Sequence, residues 1–87
     1  MVYRYMPRGV CSKQIDLALE GNIIKEVAFL GGCHGNLQGV SRLVEGMTVE
    51  QAVAKIKGIR CGGKATSCPD QLALALEAAW EKEKEQA

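Results

Sequence analysis

Apolar residues along this chain change their spacing once, from every second position to every third or fourth, dividing it into a strand-forming first third and a helical remainder. Between residues 13 and 20, Ile15, Leu17 and Leu19 fall on one side of an extended chain and Gln14, Asp16 and Glu20 on the other, the alternation of a strand with one buried face. Gly21 and Asn22 tolerate positive φ, and residues 23–30 are a second run rich in β-formers, so the two segments are predicted to pair as an antiparallel hairpin. Residues 2–6 form a shorter strand that ends at Pro7, which lacks a backbone donor, and Gly9. Gly31 and Gly32 stop the second hairpin strand.

Three helical segments follow. Leu37, Val40, Leu43 and Val44 repeat at helical spacing within 36–45, before Gly46. Thr48-Val49-Glu50-Gln51 fits a capping box, and Val49, Ala52, Val53 and Ile56 form the apolar face of a second helix up to Gly58. These two helices are expected to pack as a pair. The third helix is predicted over about 68–84, with Leu72, Ala75, Leu76, Ala79 and Trp80 on one face and Pro69 in its first turn, where proline is tolerated. Strands followed by helices predict an α+β fold, a small antiparallel sheet of about three strands with three helices packed on it.

An 87-residue chain with no repeat or linker is one domain, 1–87, whose polar end, 81–87, is expected to fray. At 47% hydrophobic, 24% charged and a net charge of +1, the composition is that of an ordinary globular domain and implies no polyanionic partner. Only four residues are aromatic (Tyr3, Tyr5, Phe29 and Trp80), so the core is mainly aliphatic and a base-stacking platform for nucleic acid is not expected. The longest apolar run, residues 72–76, is far too short to cross a bilayer, and residues 1–7 lack a signal-like apolar stretch; the protein is read as cytoplasmic.

That location changes the meaning of Cys11, Cys33, Cys61 and Cys68, each beside a predicted element boundary. Thiols stay reduced in the cytosol, so four in a small domain point to metal or redox chemistry more than to disulfides. Extending the hairpin from Glu20 opposite Ile23 brings Cys33 within one residue of the position opposite Cys11, an offset that a bulge at Gly31-Gly32 would absorb. Cys68 opens a helix, where unpaired amides and the macrodipole favour an anionic sulfur. The connection from Cys61, through Gly62 and Gly63, is flexible enough to fold both sulfurs around one ion. No CxxC pair is present, so the argument for a shared site rests on the hairpin.

Thr66-Ser67-Cys68-Pro69-Asp70, continued by Gln71-Leu72-Ala73, spells the motif after which the TSCPD domain is named, and the similarity spans about residues 3–80. That domain occurs in small stand-alone bacterial proteins and as a C-terminal segment of some adenosylcobalamin-dependent ribonucleotide reductases. The resemblance implies a role accessory to ribonucleotide reductase, by docking, metal storage or thiol exchange. The chain is far too small to carry nucleotide radical chemistry alone. The order of elements also resembles the NifU/IscU scaffolds of iron–sulfur assembly. Cys11, Cys33 within Gly32-Cys33-His34-Gly35, and Cys68 correspond to the scaffold cysteines, with Lys13 in place of an aspartate, Ser67 in place of a histidine, and Cys61 without a counterpart.

The sequence therefore predicts a non-catalytic metal-binding module with Cys11, Cys33, Cys61 and Cys68 as ligands and zinc as the ion. Iron or an iron–sulfur cluster accepts the same four thiolates, and thiol redox work and plain packing are the other readings. Expected partners are a ribonucleotide reductase or another larger protein, with a homodimer through the hairpin edge as a further reading. His34 is expected to face solvent. Lys55, Lys57, Arg60 and Lys64 form a basic stretch beside Cys61 that is either solvated or an anion site. Ser67 and Asp70 are expected to cap the third helix.

Overall fold

The computed structural model describes residues 2–7, 9, 10, 12–31, 34–60, 63 and 66–86, with side chains at all of these except 34–36 and 86. Three strands, β1 (Val2–Tyr5), β2 (Ser12–Glu20) and β3 (Ile23–Gly31), are followed by three helices, α1 (His34–Val44), α2 (Val49–Ile56) and α3 (Cys68–Gln86). The sheet is antiparallel in the order β1-β2-β3, so β3 is an edge strand. This is the α+β architecture that the spacing predicts, with α1 starting two residues before and ending one residue before the expected 36–45. Among the described residues no helix is long and apolar enough to cross a membrane.

Gly21 turns the hairpin at φ +60°, and Glu20 faces Ile23 as expected. The ladder then shifts twice, between Ala18 and Leu19 and again between Ser12 and Gln14. The first shift leaves Lys25 as an extra residue between Ile24, opposite Leu19, and Glu26, opposite Ala18. Alternation would send Ile24 and Val27 to opposite faces; the extra residue puts both in the core, at 0% and 6% exposure. At the open end the extra residue is Lys13 of β2, between Ser12, opposite Gly31, and Gln14, opposite Leu30, and not the bulge at Gly31-Gly32 that the hairpin argument expects.

Ile15, Leu17, Leu19, Ile24 and Val27 on one face of the sheet pack against Val44, Val49, Ala52, Leu72, Ala75, Leu76 and Ala79. Each large side chain so buried contributes about 1.5–3 kcal/mol relative to exposure. Ala73, Ala75 and Ala79 are wholly buried on α3, and their small side chains let the helix lie close to its neighbours. The opposite face of the sheet carries Asp16 and Glu20, as their alternation predicts, and Glu26, which the extra residue at Lys25 places there, beside the exposed Val2 and Leu30. There Arg4 Nε pairs with Asp16 at 3.0 Å.

The expected pairing of α1 with α2 does not form: α1 packs on β3 and α2 on α3. The reason lies in the chain between them. Gly46 N donates to the Ile24 carbonyl at 2.8 Å, Ile24 N to the Met47 carbonyl at 2.9 Å and Val49 N to the Asn22 carbonyl at 2.8 Å. Residues 46–49 are thus pinned along the start of β3, which separates the two helices. The capping box at Thr48 is present in both directions, each bond 3.1 Å. Helix α3 runs to Gln86, two residues past the expected end, with Lys84 bonded to Glu81 and over the Trp80 ring.

Candidate metal centre

Cys68 is the first residue of α3 and is buried. Its Sγ lies 3.3 Å from the Ser12 Oγ, itself buried at the start of β2. Cys11, Cys33 and Cys61 lie outside the described residues, and among the described residues no group of three or more His, Cys, Asp or Glu could hold a metal ion. The structure instead describes what flanks these cysteines. Ser12, next in sequence to Cys11, is the residue against Cys68. Gly31, two before Cys33, is the partner of Ser12 in the ladder. Ile59, two before Cys61, accepts a hydrogen bond from the Ser67 hydroxyl at 2.6 Å. The open end of the hairpin and the chain after α2 therefore meet at the N-terminus of α3.

The motif residues hold that junction. Ser67 caps α3 as expected: its hydroxyl accepts from Asp70 N at 3.1 Å and its carbonyl from Gln71 N at 2.8 Å. The same hydroxyl donates to Ile59, so one side chain both starts the helix and ties down the preceding chain. Asp70 does something the helix-cap reading does not contain. Its carboxylate accepts from Gly58 N at 2.7 Å and from the Thr66 hydroxyl at 2.5 Å, spanning the connection that contains Cys61. Gln71 Nε2 donates to the Thr66 Oγ at 2.9 Å. The Thr66 hydroxyl first, and then the Gly58 amide, hold the Asp70 carboxyl below its ordinary range, against the opposing pull of burial. The loop before β2 approaches from the other side, where a Cβ placed on Gly9 would sit 3.3 Å from the Thr66 methyl. Gly9 also has φ +74°, so a side chain there is doubly disfavoured.

The other predicted site residues are more scattered. His34, expected to face solvent, is the first residue of α1, and its side chain lies outside the described set. Lys57 is paired with Glu77 of α3 at 3.1 Å, Lys55 and Arg60 are exposed, and Lys64 is outside the described residues. Sequence reasoning missed Ser12, Ile59, Thr66 and Gln71. Of these only Thr66, beside Ser67 ahead of a helical pattern, carries a local signal, that of a polar helix entry.

Four thiols form a soft donor set suited to zinc or iron. Comparison with known proteins found no similar curated protein and no similar solved structure. The TSCPD domain model matches residues 1–80 of the 87. The three strands, α1, α2 and α3 as far as Trp80, with the motif at its start, lie inside that match, and the chain belongs to the TSCPD domain family.

Proposed function

We propose that this protein is a small non-catalytic metal-binding module in which Cys11, Cys33, Cys61 and Cys68 hold one zinc ion, and that it serves a larger partner such as a ribonucleotide reductase in the cytoplasm. The observation that carries the reading is the contact of Ser12 with Cys68 at 3.3 Å. It brings the residue after Cys11 against the fourth thiol, while Gly31 and Ile59 draw the chain near Cys33 and Cys61 to the same junction. Four thiolates around zinc make a closed, tetrahedral, structural site without an open position for substrate. Such an ion would tie the hairpin end to the start of α3, a useful staple in a domain whose core is this small. Binding requires deprotonated sulfur, so affinity falls as pH is lowered.

Elemental analysis of protein purified without added metal or chelator tests the reading, alongside Cys11→Ser and Cys61→Ser. One zinc per chain, lost in both variants, is the expected result, with thermal unfolding shifted down when a chelator strips the ion. Stoichiometric iron would replace zinc by a cluster or iron site, and absence of any metal from freshly prepared reduced protein would overturn the proposal.

A further inference from the structure

The outer edge of β3 is only half closed. Ile24 exchanges two hydrogen bonds with the 46–49 segment, and Val27 N donates to the Glu45 carboxylate at 3.2 Å. The backbone groups of Ile24 and Val27 therefore point away from β2. By the two-residue alternation of a strand, the N–H and C=O of Phe29 point the same way. Among the described residues none outside the sheet hydrogen-bonds to them. They open into a groove of about 500 Å³ between the edge of β3 and α1, lined by Val27, Phe29, Leu37, Ser41, Arg42 and Glu45 among others. That volume is within the range of roughly 300–1,000 Å³ in which ligand sites fall.

We propose that this groove binds an extended segment of a partner protein, added as a fourth strand beside β3, with an acidic side chain two positions from an apolar one. An added strand would continue along the edge the 46–49 segment has begun to cover, hydrogen-bonding to Phe29. The side-chain pattern follows from α1. Leu37 and Arg42 are about 7.5 Å apart along the helix axis, close to the roughly 6.7 Å between alternate residues of an extended chain. An apolar residue therefore meets Leu37 when its neighbour two positions away meets Arg42. Arg42 is exposed and makes no ion pair among the described residues, whereas Glu45 is already engaged by Val27. The charge the groove lacks is an acid at the level of Arg42. A second copy supplies the wrong one: α1 runs back along β3, so two-fold pairing of two β3 edges about Phe29 would set Arg42 beside Arg42. No cysteine is among the described lining residues, and binding is read with or without metal, so its failure is distinguishable from failure of the metal site.

Selection of a displayed random octapeptide library on the full chain tests this, followed by titration of the most enriched synthetic peptide into isotopically labelled protein. Enrichment of Asp or Glu two positions from Val, Ile, Leu or Phe is expected, with amide shifts at Phe29 and Leu37 and at least about tenfold slower hydrogen exchange at Phe29. Arg42→Glu should weaken binding about tenfold or more, while Lys82→Glu, the same charge change on the exposed part of α3, leaves it unaltered. The proposal is overturned if no peptide is enriched over empty matrix, if shifts map away from β3 and α1, or if Arg42→Glu binds as well as Lys82→Glu. It is also overturned if the protein alone sediments as a dimer with Phe29 already protected, which would give the edge to a second copy.

Discussion

Replacing Ser67 by alanine removes a single hydroxyl that makes two bonds of different kinds, and the cost of each is separable. The bond from Asp70 N is a helix cap, which contributes about 1 kcal/mol. The bond to the Ile59 carbonyl, at 2.6 Å, ties the chain after α2 to the start of α3 and contributes about another 1 kcal/mol. Ser67→Ala should therefore cost about 2 kcal/mol, a large fraction of the roughly 4–13 kcal/mol expected for a domain of this length. Thr48→Ala is the internal standard, because Thr48 caps α2 through one comparable bond at 3.1 Å and its side chain has no second described partner. With a urea dependence of about 1.3 kcal/mol per molar, Ser67→Ala should lower the unfolding midpoint by about 1.5 M and Thr48→Ala by about half as much. Circular dichroism of the two variants at equal metal content measures both. Equal shifts would refute the reasoning, because they would mean that the tie to Ile59 contributes nothing and that Ser67 is only a cap.

Asp70→Asn should flatten the acid limb of the stability curve. The folded carboxyl sits below its ordinary value of 3.8, so its contribution is complete above that value and fades as pH falls through the lower one. Melting temperatures of the two proteins between about pH 2.5 and 6 should show the wild type losing stability over that limb faster than the variant. Leu76→Ala, at a wholly buried position of α3, should cost about 2–5 kcal/mol in the same urea titration, and a cost under 1 kcal/mol would show that the sheet and α3 are not packed as described. Ser12→Ala should raise the rate at which a thiol reagent labels Cys68, since the hydroxyl covers its sulfur at 3.3 Å; the rate is read in a variant whose other three cysteines are serine.

What could be read from the residues was whatever is encoded locally. Gly21 and the alternation of Ile15, Leu17 and Leu19 define the hairpin because turn geometry and one-sided burial act over a few residues. Thr48 and Gln51 define the start of α2 for the same reason. The separation of α1 from α2 was not legible, because Gly46 and Met47 meet Ile24 through backbone groups that every residue possesses. The bulge at Lys25 has no side-chain signature either. For the site, Ser67 was legible as a cap, but its second bond and the reach of Asp70 to Gly58 join positions that approach only after α2 and α3 have packed. The family motif marked where to look, and the hydrogen bonds say what Thr66, Ser67, Asp70 and Gln71 do there.

The extra residue at Lys25 bears on how this hairpin can change in evolution. Removing that one residue would leave Ile24 opposite Leu19 and Glu26 opposite Ala18 in a regular ladder, with Val27 and Phe29 still on the core face and Glu26, Ala28 and Leu30 still on the other. A relative that aligns with a gap at this position can therefore carry the same apolar residues in the same order from here to the end of the strand. A one-residue gap further along β3 would turn over every side chain beyond it, so a shorter hairpin loses its residue at the bulge, and a gap set elsewhere in the strand without a shifted apolar pattern marks a misplaced alignment.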